Sequence, residues 1–88
     1  MARIRFRFVH DHAKTVAVAG DFNGWSTTSH PMRRGRNNKV WTVEVGLPPG
    51  RHEYKFVVDG NEWWNDPEVP KVPNVWGTEN SYVDVPGE

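Results

Sequence analysis

Residues 40–60 read VWTVEVGLPPGRHEYKFVVDG, and the alternation within them decides the fold. In the first eight, Trp41, Val43, Val45 and Leu47 share one face while Thr42 and Glu44 take the other, the two-residue period of a half-buried strand. Trp41 is therefore expected in the core. Pro48-Pro49-Gly50 reads as a turn, since proline presets φ and glycine tolerates its positive values, and a hairpin between the flanking strands is the expected result. The return arm, residues 51–59, puts His52, Tyr54, Phe56 and Val58 on one face and Glu53, Lys55, Val57 and Asp59 on the other. Asp59-Gly60 is a two-residue hairpin signal, after which residues 61–65 turn back as a short strand.

The pattern continues on both sides of this stretch. Upstream, Ile4, Phe6 and Phe8 alternate with Arg3, Arg5 and Arg7, a strand with a basic outer face. Residues 15–19 (TVAVA) read as a central strand whose alanines let another surface approach closely. Residues 20–26 (GDFNGWS) form a tight turn around Asn-Gly, with Phe22 and Trp25 as its large apolar groups. Residues 27–39 read as a polar loop with Met32 tucked toward the core. Downstream, Pro67, Pro70 and Pro73 confine residues 66–78 to loop or sheet edge, and residues 81–85 form the last strand. Six or seven short strands, without a helix of useful length, a repeat or a long linker, predict an all-β sandwich spanning residues 1–88 as one domain.

Composition narrows the function. With 88 residues the chain has room for one core, which excludes a two-lobed enzyme. Eleven Lys and Arg balance eleven Asp and Glu, so no net field attracts a polyanion and nucleic acid is not expected as a partner. The absence of Cys excludes disulfides, a thiol nucleophile and thiolate metal sites. No stretch reads as a signal peptide or a bilayer span, and a soluble, cytoplasmic protein without a membrane partner is expected.

Enzyme constellations fail on inspection. No G-x-S-x-G elbow accompanies the histidines, and the acidic residues Asp59, Glu62, Asp66 and Glu68 fall in turns where carboxylates commonly cap. His10-Asp11-His12 lacks a third ligand at a recognisable spacing and reads as a solvated hairpin turn, so no metal or cofactor is expected. The basic cluster at residues 33–39 reads as a solvated loop rather than a phosphate site.

The tryptophans carry more information. Of five, only Trp41 follows a clean core alternation; Trp25, Trp63, Trp64 and Trp76 fall in turns or at strand ends. Adjacent Trp63 and Trp64 point to opposite faces of an extended segment, so at most one belongs to the core. An exposed indole covers the apolar C–H face of a sugar without needing a charge, and nearby Lys, Asn and Thr side chains serve its hydroxyls. The competing reading has Trp25 and Trp76 closing the ends of a small core.

In order and in combination, G-D-F-N-G-W at 20–25, L-P-P-G at 47–50, Y-K-F-V-V-D-G at 54–60, a Trp before Asn65-Asp66-Pro67, and W-G-T-E-N-S at 76–81 closely resemble one family. It is carbohydrate-binding module family 48, the glycogen- and starch-binding domain of branching and debranching enzymes and of the β subunit of AMP-activated protein kinase. The resemblance covers nearly the whole chain and implies an early-set immunoglobulin-like β-sandwich that binds α-1,4-linked glucan without catalysis. It also implies stacking by Trp25 and a hydrogen-bonding role for Lys55, whose outward direction the strand alternation supports independently.

The family's second stacking tryptophan maps to Trp63 by counting back from Asp66-Pro67, with Trp64 as the alternative. Counting forward from Asp59-Gly60 reaches Glu62, so this chain carries one extra residue in the hairpin. Thr78 and Asn80 are implied to bond sugar hydroxyls, and Trp76 stands where kinase-type members have leucine. Expected partners are an α-glucan and an attached or associated catalytic domain. The alternative is a structural accessory domain that packs against an α-glucan-active enzyme or kinase subunit with little sugar binding. A protein-recognising immunoglobulin-like module would instead show a contiguous apolar patch.

Overall fold

A computed structural model describes residues 2–36 and 39–87. Within them the chain forms β1 (Ala2–Val9), β2 (Val16–Gly20), β3 (Arg33–Arg34), β4 (Val40–Leu47), β5 (Gly50–Val58), β6 (Glu62–Trp64), β7 (Lys71–Pro73) and β8 (Glu79–Val85). Every ladder is antiparallel. One sheet has the order β1-β4-β3; the other runs β2-β5-β8-β7, with β6 also paired to β5. The result is the expected all-β sandwich. Two strands more than the alternation reveals are present, β3 and β7, because two or three residues are too few to show a period and owe their pairing to the neighbouring strand.

The core is filled by alternate residues from both sheets. Phe6, Phe8, Trp41, Val45 and Leu47 face Val16, Val18, Tyr54, Phe56, Val58 and Val85. Phe6 meets Tyr54 at 4.7 Å and Phe8 meets Phe56 at 4.6 Å between ring centroids, offset geometries that suit the aromatic quadrupole. Met32 is buried with them, and Arg3, Arg5 and Arg7 stay outside, both as expected. The alanines of β2 are buried, and its second edge is closed by residues 30–32 through Val18 N–H to the His30 carbonyl (3.0 Å) and Met32 N–H to the Val16 carbonyl (2.7 Å).

Two expectations fail at the same kind of place. Pro48-Pro49-Gly50 does not close a hairpin, because β4 and β5 lie in different sheets. Both strands carry large apolar residues that must be buried, and they do so by stacking across the core rather than pairing. The prolines have no N–H to give a ladder, and Gly50 at φ 124° carries the chain across. His10-Asp11-His12 is likewise not a hairpin turn but part of a passage between sheets, from β1 to β2. Among the described residues no group of three or more His, Cys, Asp or Glu could hold a metal ion, and no helix is long and apolar enough to cross a membrane.

Asp59-Gly60 does turn a hairpin, from β5 into β6, with both residues at positive φ (54° and 80°). The Asp59 carboxylate accepts the N–H groups of Lys14 (2.8 Å) and Thr15 (3.0 Å), tying this hairpin to the start of β2. Those backbone donors, Thr15 first, hold its pKa below the ordinary 3.8. A carboxyl depressed on folding stabilises the protein above its unfolded pKa, and that contribution is lost as pH falls through the folded value. Asp59→Asn keeps an acceptor and tolerates the left-handed φ, so urea midpoints should show the wild-type advantage shrinking below about pH 4 and vanishing at lower pH.

Gly20 is a second constraint. A Cβ there would stand 2.4 Å from the Phe22 ring and 2.6 Å from the Glu53 carbonyl oxygen, which accepts the Asp21 N–H. Gly20→Ala should therefore lower unfolding stability by about 2 kcal/mol, the scale of overpacking against atoms that cannot retreat.

Candidate functional site

The outer face of the second sheet follows from the alternation of β5. With Tyr54, Phe56 and Val58 turned into the core, Glu53, Lys55 and Val57 take the opposite face of the strand, where Val57 is itself covered. Val57 pairs with Trp63 and Phe56 with Trp64. Trp63 is thus placed on the outer face with Lys55, and Trp64 on the opposite one, where its ring approaches Phe8 (6.3 Å) and His10 (5.7 Å) at the edge of the core. On the same edge of β5, Tyr54 pairs with Ser81, and one further step of that register sets Asn80 across from Lys55. Lys55 stands where β6 gives way to β8.

Beneath that junction the polar groups are satisfied. The Tyr54 hydroxyl donates to Asp66 (2.8 Å), Ser81 Oγ receives the Asp66 N–H (2.7 Å) and donates to Asn65 Oδ1 (3.0 Å), and Asn65 Nδ2 donates to the Glu79 carbonyl (2.9 Å). Burial and the Asp66 partner push the Tyr54 hydroxyl far above its usual pKa, so it stays a neutral donor. This network pins the chain immediately after Trp63 and Trp64 to the start of β8.

Two loops bring the remaining indoles. In residues 20–26, Asn23 Oδ1 accepts the N–H groups of Gly20 (3.0 Å) and Ser26 (3.2 Å), while its amide donates to the Val18 carbonyl (3.1 Å). Phe22 packs on Phe6, and Trp25 is left on the outside at φ 59°, held by its N–H to the Gly20 carbonyl (2.8 Å). In residues 74–80, Asn74 Oδ1 accepts the N–H groups of Trp76 (3.0 Å) and Thr78 (3.1 Å), and Asn74 Nδ2 lies 2.8 Å from Thr78 Oγ1 and 2.9 Å from Asn80 Oδ1. Gly77 closes the loop at φ 81°. Trp76 is 85% exposed on it.

Trp25, Lys55, Trp63, Asn74, Trp76, Thr78 and Asn80 line one open groove of about 290 Å³. Six of the seven candidate residues meet there; Trp64 does not. The residue that sequence reasoning missed is Asn74, although Asn followed three positions later by Gly is the signature of a β-turn. Lys55 lines the groove, and none of the ion pairs among the described residues takes it up. Asn80 is largely buried and already committed, donating to Glu53 (3.1 Å) and accepting from Asn74, which leaves one N–H and one lone pair.

Three indoles, an ammonium and side-chain amides around an open groove on a β-sheet have the composition of the sugar-binding surface of a carbohydrate-recognition module. Residues 2–88 match the family described as the glycogen recognition site of AMP-activated protein kinase, and the chain belongs to that family. It is 43% identical over 72 residues to subunit beta-1 of 5'-AMP-activated protein kinase from Sus scrofa, covering 82% of this chain and 55% of that one. The beta-1 subunit from Homo sapiens gives 43% and the beta-2 subunit from Mus musculus 42%, each covering 25% of the relative. The chain thus spans about half of the pig sequence and a quarter of the other two.

Trp25 separates stability from ring chemistry. At φ 59° a side chain costs about 1 kcal/mol that glycine avoids. Of two variants that both remove the ring, Trp25→Gly should unfold at a higher denaturant concentration than Trp25→Ala.

Proposed function

We propose that this chain is a non-catalytic, cytoplasmic module, one domain over residues 1–88, that binds α-1,4-linked glucan through the groove. The observation that carries the reading is convergence: Trp25 from the loop after β2, Lys55 from β5, Trp63 from β6, and Trp76, Thr78 and Asn80 from the stretch leading into β8 line one concavity. Trp25 and Trp63 stack on glucose rings, Trp76 caps the surface beside them, and Lys55 donates to hydroxyls. Thr78 and the remaining valences of Asn80 serve further hydroxyls at the groove floor. Curvature of the aromatic surface selects a bent α-linked chain over a flat one by shape. Membership in the glycogen-recognition family supports the same ligand.

The alternative reading, packing against a kinase subunit, draws on the similarity to kinase beta subunits and on the opposite sheet. Arg3, Arg5, Arg7 and Arg33 are exposed there around Glu44, away from the groove. Because the two readings use different faces, Arg5→Ala should leave glucan affinity unchanged.

The decisive comparison is between neighbours. Trp63→Ala should weaken maltoheptaose binding by about 2 kcal/mol, roughly 30-fold, as loss of an aromatic hot spot does. Trp64→Ala should leave affinity nearly unchanged and lower thermal stability instead. Calorimetric titration of both variants checks this, and equal losses of affinity would overturn the assignment of the groove.

A further inference from the structure

A second depression, of about 430 Å³, adjoins the first and is lined by Asp21, Trp25, Glu53, Pro73, Asn74, Val75, Trp76 and Asn80. Trp25, Asn74, Trp76 and Asn80 border both, so the two share an aromatic wall and a polar floor. Their chemistry differs. The first offers the ammonium of Lys55, whereas the second offers the carboxylates of Asp21 and Glu53 beside the apolar surface of Pro73 and Val75, the latter 92% exposed.

Neither carboxylate is used up by the fold. Asp21 Oδ2 accepts the Glu53 N–H (3.0 Å) and its Oδ1 lies 3.4 Å from His52 Nδ1, while Glu53 Oε1 accepts from Asn80 (3.1 Å). An ionised carboxylate has about four acceptor positions, so each retains capacity toward the depression. A carboxylate is the strong acceptor for neighbouring hydroxyls of a neutral sugar, and charge-assisted hydrogen bonds exceed neutral ones. Val75 and Pro73 supply the apolar surface that a sugar's C–H face needs.

We infer that the second depression is an extension subsite for the same glucan, in which Asp21 and Glu53 accept hydroxyls of glucose units lying beyond the Trp25–Trp76 wall. The inference rests on the glucan reading of the first groove and goes further: the protein distinguishes long chains from short ones. A short oligosaccharide fills the Lys55 side alone, and a longer one crosses the wall and reaches the carboxylates. Glu53 also holds Asn80 and, through it, Asn74, so its replacement would disturb both sides. Asp21 and Val75 are the informative positions.

The experiment is calorimetric titration of the chain with maltotetraose and with maltooctaose. The wild-type protein should bind the octaose about tenfold or more tightly than the tetraose. Asp21→Asn, which keeps an acceptor for the Glu53 N–H, should weaken the octaose about five- to tenfold, the scale by which a charged acceptor exceeds a neutral one in a single hydrogen bond. It should leave the tetraose within about twofold. Val75→Lys, which sets an ammonium against both carboxylates on an exposed surface, should have the same length-selective effect. Equal affinity of the wild-type protein for both sugars, or variants that change neither affinity or both alike, would overturn the extension while leaving the first groove intact. Failure of both sugars to bind would instead overturn the functional reading itself.

Discussion

Lys55 can face a ligand only because Tyr54 and Phe56 cannot. The strictly alternating direction of β5 couples the two faces of one strand: every residue that fills the core fixes the aim of its neighbour on the outside. Tyr54 and Phe56 are essentially sealed, packed on Phe6 and Phe8 from the other sheet, and a one-residue slip would exchange them for Glu53 and Lys55 at the cost of the whole core. The same ladder carries β6 on its edge, so the pairing of Val57 with Trp63 is not a separate choice. Position of the ammonium and position of one indole follow from a single hydrophobic register.

The other two indoles depend on hydrogen bonds rather than on register. Asn23 and Asn74 each gather backbone N–H groups that a loop would otherwise leave to water, and each stands two residues before a tryptophan. A loop tied in this way loses less conformational freedom when a ligand arrives than a loop held only at its ends, which is how preorganisation favours affinity. The Asn74 amide continues through Asn80 to Glu53, so the Trp76 loop is fastened to β5, the same strand that aims Lys55. Asn80 is in this respect as much a brace as a contact.

Much of this was legible in the chain. The parity of β5 is written in Tyr54, Phe56 and Val58, and the opposition of Trp63 and Trp64 follows from adjacency alone. Which of the two faces outward was not, because that depends on how β6 registers on β5 across the Asp59-Gly60 turn, and one residue in that turn reverses the answer. The Pro48-Pro49-Gly50 turn misled for a related reason. A turn sequence records a change of direction, and whether the strands then pair or stack is decided by where their apolar faces can be buried together. Asn74 is not marked by any apolar period, because its contribution is to the backbone N–H groups two and four residues on. β3 and β7 owe their existence to partners that no local pattern encodes.

The outer faces of the two sheets are built to different ends. On the first, Arg3, Arg5 and Arg7 alternate along β1 opposite Gly46, Glu44 and Thr42, and long charged side chains there keep the sheet wetted. On the second, Trp25, Trp63 and Trp76 are grouped, with Val75 almost wholly exposed beside them. A chain with no net charge has little colloidal protection against such a patch. Moving one tryptophan inward would lower that hazard, yet the core between the sheets is already occupied by Phe6, Phe8, Trp41, Tyr54 and Phe56 and has no room for another indole without strain. The surplus aromatics therefore lie outside the core, and the register of β6 on β5 together with the two asparagine-braced turns brings three of them, Trp25, Trp63 and Trp76, out on one face.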